Sequence, residues 1–181
     1  MKNLAIFASG NGSNFEALAC ANLNCNIRVL ICNKKDAYVI KRAQKIGIKY
    51  EIVESENYSK KDYEKKIIEL LQAYEIELII LAGYMKIFSS DFVDKYSNKI
   101  INIHPSKLPN YRGLNAVERA FSNNDKEIGV SVHFVDSGVD TGNVIACECI
   151  NVSDDDTLED VFKKIHDLEH SLYPKVLRRI L

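Results

Sequence analysis

Tryptophan is absent from this chain, proline occurs three times in 181 residues, and neither charge sign prevails, the net charge being −1. That balance excludes the broad basic field of a nucleic-acid or membrane-surface binder, though not a local patch for a small anion. No apolar run approaches the ~18 residues needed to span a bilayer. The best one, Ile76–Ala82, carries Glu77 within it and reads as a buried strand. The opening residues hold a single lysine and a short apolar run reaching Ser9-Gly10, too short and too lightly charged for a secretory leader. Cys-x-x-Cys spacing is also missing. The five cysteines, at 20, 25, 32, 147 and 149, are odd in number, so neither a zinc site nor a disulfide framework is expected. A reducing, cytoplasmic setting is.

What remains is an ordinary globular composition, 46% hydrophobic and 27% charged, long enough to bury a core as one domain spanning residues 1–181. Short β-branched runs alternate with helical patterns. Strands are expected at Lys2–Ala8, Asn26–Cys32, Lys49–Val53, Leu78–Ala82, Lys99–Ile103, Ile128–Val135 and Val144–Val152. Ser13 and Glu16 form a capping-box pair, which predicts a helix from Asn14. Further helices follow at Ala37–Gly47, Ser59–Tyr74, a short one capped by Ser90 and reaching Tyr96, Ala116–Asn123, and one opened by Thr157 and Asp160, with Pro174 disturbing or ending it and a further turn open to Leu181. This alternation predicts an α/β fold: a Rossmann-like open, mostly parallel sheet with helices on both faces. The two late strands are separated by about eight residues, too few for a helical crossover, so they form an antiparallel pair near one edge.

Two stretches could carry chemistry. Gly10-Asn11-Gly12-Ser13-Asn14 joins the first strand to the first helix, where a glycine-rich turn and free helix N–H groups suit a phosphate. A dinucleotide fits less well, because Phe15 holds the third glycine position and Cys32-Asn33 ends the second strand without an acid. A purely structural tight turn is the remaining reading. The second stretch is Ile101–Gly113. Asn102 and His104 leave the same face of a strand, ahead of a loop stiffened by Pro105 and Pro109. A lone histidine before proline is more often a loop residue. Asp140, itself a plain turn residue when taken alone, lies in the Gly/Asp-rich loop after a later strand and could reach the same rim. Together the three suit acyl-type transfer. The amide donates to a developing oxyanion, the imidazole moves a proton or assists as a cation, and the carboxylate holds the ring and favours its charged form. Ser106 lacks an elbow motif, so direct transfer between two bound substrates is the simpler chemistry.

Ser9-Gly10-Asn11-Gly12-Ser13-Asn14, Leu81-Ala82-Gly83-Tyr84-Met85-Lys86, Asn102-Ile103-His104-Pro105-Ser106-Lys107-Leu108-Pro109 and Asp140-Thr141-Gly142 occur in that order. In this the chain resembles the phosphoribosylglycinamide formyltransferases, from Lys2 to Pro174. The resemblance implies formyl transfer from 10-formyltetrahydrofolate to the amine of 5-phosphoribosylglycinamide in purine synthesis, with no metal. It implies that Gly12, Ser13 and Asn14 hold the phosphate, and that Glu169 and its neighbours from His166 hold the ribose end. Met85, Lys86, Ile87 and Phe88 would line the folate pocket with Asp136, Ser137, Gly138, Val139 and Asp140, Asn102 also touching the donor. His104 would be catalytic, with Asp140 its partner, and Leu108–Pro109 a cis bond. Lys60 stands where some members carry an arginine near the folate tail, keeping the charge but not bidentate pairing. Lys107 stands where leucine is common.

Three alternatives compete with that implication. A methionyl-tRNA formyltransferase should add an RNA-binding domain, and a formyltetrahydrofolate hydrolase a regulatory one. A chain of 181 residues opening directly on its first strand is expected to have room for neither. A nucleotide-binding regulatory module would keep the phosphate loop but would not need Asn102, His104 and Asp140 to converge. The partners expected are therefore small molecules, without nucleic acid or membrane.

Overall fold

A computed structural model describes residues 1–181. Its seven strands are β1 (Lys2–Ala8), β2 (Cys25–Cys32), β3 (Tyr50–Ile52), β4 (Leu78–Leu81), β5 (Ile100–His104), β6 (Glu127–Phe134) and β7 (Val144–Asn151). Six α-helices intervene: α1 (Ser13–Cys20), α2 (Val39–Ile46), α3 (Lys60–Ala73), α4 (Ser90–Lys95), α5 (Ala116–Ser122) and α6 (Leu158–Ile180). The strands form one sheet in the order β3-β2-β1-β4-β5-β6-β7. From β3 to β5 every pairing is parallel, while β6 is antiparallel to both β5 and β7. The reversed strand thus lies one place in from the edge. Chain direction reverses its march across the sheet between β1 and β4, the switch point where open α/β sheets bind ligands.

Side chains leave alternate faces of each strand, and the core divides accordingly. Leu4, Ile6, Leu30, Ile80, Ile101, Ile103, Val130 and Val132 pack with α1, α2, α5 and α6. Ala5, Phe7, Val29, Ile31, Ile79, Leu81 and Ile100 pack with α3 and α4 on the other face. Only two helices serve this second face. Beyond them, β5 and β6 present Asn102, His104, Ser131 and His133, with Asn102 opposite His133 and His104 opposite Ser131. No helix is long and apolar enough to cross a membrane.

Two local expectations are corrected. Ser13 does not cap α1: the N-cap is Gly12, left-handed at φ 80°, and Glu16 instead pairs with Arg42. A Cβ on Gly12 would lie 2.3 Å from Val39 Cγ2, so the turn depends on close approach by α2. The cap of α4 is Ser89 rather than Ser90, its hydroxyl accepting from Phe92 N. Of the outcomes open at Pro174, α6 takes the further turn and continues to Ile180. An interior proline costs a helix about 3 kcal/mol. Burial of Leu172, Tyr173, Val176 and Leu177 against the sheet offsets that loss, at about 1.5–3 kcal/mol for a large apolar side chain. The capping box of Thr157 and Asp160 forms as expected.

Candidate active site

The polar face of β5 and β6 is closed by the loop that follows β6. This loop does not start from the rim that carries His104. Phe134 pairs with Ile101, so β6 ends beside the beginning of β5. The loop must fold back over the sheet face to deliver Asp140. Its shape follows from short-range bonds: the Asp136 carboxylate accepts from Gly138 N at 3.1 Å and Thr141 Oγ1 at 2.5 Å. A Cβ on Gly142 would fall 1.9 Å from the Phe134 carbonyl oxygen, so only glycine permits that return path. Asp140 itself is left-handed, φ 51°.

Asp140 meets both histidines. Its Oδ2 is 3.3 Å from His104 Nδ1 and accepts from Gly113 N at 2.9 Å, while Oδ1 is 3.5 Å from His133 Nε2. Burial alone pushes the carboxyl up. The His133 ring, the Gly113 N–H and the charge of His104 outweigh that and hold it below the ordinary carboxylate range. The other nitrogen of His104, Nε2, is 2.9 Å from the Tyr111 carbonyl oxygen. Both ring nitrogens therefore face acceptors, and only the imidazolium can donate to both. His133 is oriented by the Phe134 carbonyl, 2.8 Å from its Nδ1. Its Nε2 lies between two neighbours, Asn102 Nδ2 at 3.2 Å and Asp140 Oδ1 at 3.5 Å. Asn102 also points the same amide nitrogen at Asp140 Oδ1, 3.5 Å away.

His133 is a site residue that the sequence reading passed over as part of a strand. Its signal was present: Gly129, Ser131 and His133 alternate with Val130 and Val132, placing it opposite Asn102. Ser131 was also passed over. Buried completely, it donates to the Ser106 carbonyl at 2.7 Å and accepts from Leu108 N at 3.1 Å, pinning the loop after His104. The Leu108–Pro109 bond is cis.

A second cluster lies at the N-terminus of α1. Asn14 Nδ2 donates to Glu169 Oε2 at 3.2 Å, and its Oδ1 is buried without a partner. Ser13 and Asn14 lie in the first helical turn, whose N–H groups have no intrahelical acceptor. His166 is exposed on α6, stacked toward His170 with ring centroids 6.4 Å apart. Burial pushes the Glu169 carboxyl up to about 7, although the Asn14 hydrogen bond opposes it. Stability should therefore fall as pH rises from about 4.5 to 7, because the unfolded chain loses that proton first. Glu169→Gln should remove this slope and stabilise the protein at pH 8, by up to about 3 kcal/mol. Urea unfolding of both proteins at pH 5 and pH 8 measures it, and an unchanged pH dependence would rule out a protonated, buried Glu169.

The loop after β4 supplies apolar surface. Met85 is 63% exposed and Ile87 66%, and Val139 on the Asp140 loop is 46% exposed. Lys86 is exposed with them, as are Ser137 and Gly138. Phe88 does not join this surface. Its ring stacks on Phe92 at 4.1 Å and meets Phe7 edge-on, inside the core. Apolar packing beneath the loop claims it, so it shapes the loop from below. Lys60 lies exposed at the start of α3, and its side chain makes no ion pair. No group of three or more His, Cys, Asp or Glu residues is placed to hold a metal.

The formyl transferase family profile matches residues 2–177. The chain belongs to the formyl transferase family. Within that family, the phosphoribosylglycinamide formyltransferase of Bacillus subtilis (strain 168) is 45% identical over 186 residues, covering 100% of this chain and 95% of its own. The Escherichia coli (strain K12) protein of the same name is 36% identical over 180 residues, covering 97% of this chain and 85% of its own. Among solved structures, phosphoribosylglycinamide formyltransferase from Bacillus halodurans superposes with a TM-score of 0.96 at 39% identity, covering 99% of this chain and 95% of its own. The Streptococcus pneumoniae TIGR4 enzyme gives 0.95 at 40% identity, covering 99% of both chains. These likenesses extend the formyl transferase fold over the sheet, both loops and α6 together.

Proposed function

We propose that this protein transfers the formyl group of 10-formyltetrahydrofolate to the amine of 5-phosphoribosylglycinamide, in purine biosynthesis, with residues 1–181 acting as one domain. The observation that carries the chemistry is His104, held between the Asp140 carboxylate and the Tyr111 carbonyl on the same sheet face as Asn102. Such a face binds two substrates from two sides. Gly12, Ser13 and Asn14 take the phosphate at the N-terminus of α1, and Glu169 with His166 takes the ribose. Met85, Lys86, Ile87 and the backbone of Phe88 take one side of the folate, and the segment from Asp136 to Asp140 takes the other. Exposed apolar side chains on both loops suit a flat heteroaromatic donor.

The substrate amine attacks the formyl carbon while uncharged, and the oxygen gains negative charge. Asn102 turns one N–H from its long contact with Asp140 toward that oxygen. The His104 imidazolium stands beside it with a proton for the folate nitrogen that leaves as its bond to the formyl carbon breaks, its Nε2–H exchanging the Tyr111 carbonyl for the substrate, and the neutral ring then takes the proton that the attacking amine loses. Asp140 stays ionised and fixes the ring throughout. The five cysteines, all free, fit a reducing cytoplasm.

The test is an assay of purified protein with both substrates, following folate absorbance and formylated product together. Formyl transfer to the amine supports the reading. Formate released in its place would make the protein a hydrolase, and no turnover of either substrate would leave a binding module.

A further inference from the structure

Ser9 and Asn33 are buried polar residues, 3% and 5% exposed, that the transfer chemistry does not use. They lie at the ends of β1 and β2, beside the switch point of the sheet. Ser9 Oγ donates to Asn33 Oδ1 at 2.6 Å, which aims its lone pairs at the Met85 N–H, 2.8 Å away. The Ser9 backbone N–H donates to the Gly83 carbonyl at 3.1 Å. The residue that opens the phosphate loop therefore also holds the loop carrying Met85 and Ile87. A dinucleotide-binding sheet would place an acid near Asn33; here that position supplies a neutral acceptor directed inward.

The two loops differ in how else they are secured. The phosphate loop is held by α2, since Val39 N donates to the Gly10 carbonyl at 3.1 Å and Arg42 Nε to the Asn11 carbonyl at 2.9 Å. The loop after β4 is fastened at its far end, where Ser89 N donates to the buried Glu64 carboxylate at 2.6 Å. At its near end Ser9 accepts from Met85 N, beside Tyr84, whose hydroxyl meets that of Tyr63 and whose ring packs on Phe7. With both ends held through backbone groups, Met85 and Ile87 remain free to meet a ligand.

We propose that Ser9 and Asn33 are positioning residues for formyl transfer, clamping the folate-facing loop to the start of the phosphate loop so that donor and amine meet at a fixed separation. Asn33 acts through Ser9, by orienting its hydroxyl. The proposal rests on the formyltransferase reading for its ligands, and on hydrogen bonds within the free protein for its geometry.

The experiment compares Ser9→Ala, Asn33→Leu and Asn33→Asp with the parent. Losing a buried hydrogen bond at the loop should raise KM for 10-formyltetrahydrofolate about tenfold in the first two. KM for phosphoribosylglycinamide should stay within about twofold, because α2 still holds the phosphate loop. Asn33→Asp keeps the acceptor and should stay near the parent. In the free protein, exchange of the Met85 amide proton should accelerate about tenfold in Ser9→Ala and Asn33→Leu, but not in Asn33→Asp. Parallel increases in both KM values, or a Met85 amide equally protected in Ser9→Ala, would overturn the clamp. If the parent fails to transfer formyl groups, the functional reading falls, while the amide exchange still decides whether the clamp exists.

Discussion

His104→Ala is expected to lower kcat for formyl transfer by about a thousandfold, within the usual span of a lost general acid or base. KM for phosphoribosylglycinamide should change by no more than about twofold, because no phosphate-loop or α6 residue touches the ring. The argument is geometric. Asp140 and the Tyr111 carbonyl accept from opposite sides of the imidazole, 3.3 and 2.9 Å away, so the fold keeps a proton donor in a nearly water-free position. Alanine removes the proton and leaves Asp140 with the Gly113 N–H as its nearest firm partner. Asn102 remains to meet the oxyanion, so activity should fall steeply without vanishing. His104→Gln restores a donor to one side only and should recover little. Steady-state kinetics at saturating folate measures the effect. Turnover within tenfold of the parent would remove His104 from the chemistry.

The amide and imidazole of this site were legible because strand alternation is local. Two residues apart on an apolar strand, Asn102 and His104 had to share a face whatever the neighbours were. The same rule marked His133, but a single histidine in an apolar strand reads equally well as core; only the pairing of β5 with β6 gives it a partner. Asp140 is a different case. Its loop leaves from the end of the sheet opposite His104, and strand order decides that, which no local pattern contains. Its return across the face depends on Asp136, Gly142 and a left-handed Asp140, each unremarkable as sequence. The mostly parallel sheet with helices on both faces followed from the alternation of strands and helices. Ser13 as a capping residue failed for a tertiary reason, since Val39 presses against Gly12 and the turn closes without a side-chain cap. Pro174 left both a stop and a further turn open, because what a proline does to a helix depends on what the helix buries.

Asp140→Asn should reduce kcat about a hundredfold and change the form of the pH–rate profile, which separates it from a simple loss of fold. The carboxylate accepts on Oδ2 from Gly113 N and His104, and on Oδ1 from Asn102. An amide offers one acceptor oxygen. Placed to keep Gly113 and His104, it turns its NH2 group toward Asn102 Nδ2 and His133 Nε2, so the Asn102 amide loses its acceptor and its orientation. The site also loses the negative charge 3.3 Å from His104 Nδ1, so the form of the profile should change. Stability carries an independent sign. Because the Asp140 carboxyl is held below its ordinary range, it stabilises the fold above the unfolded value near 3.9, and that contribution is lost as pH falls through the folded value. The variant should therefore lose stability at pH 7 relative to the parent, and less so at pH 3. Rate profiles between pH 5 and 9, with urea midpoints at both pH values, test the two effects separately. An unchanged profile would show that Asp140 shapes the loop and takes no part in the mechanism.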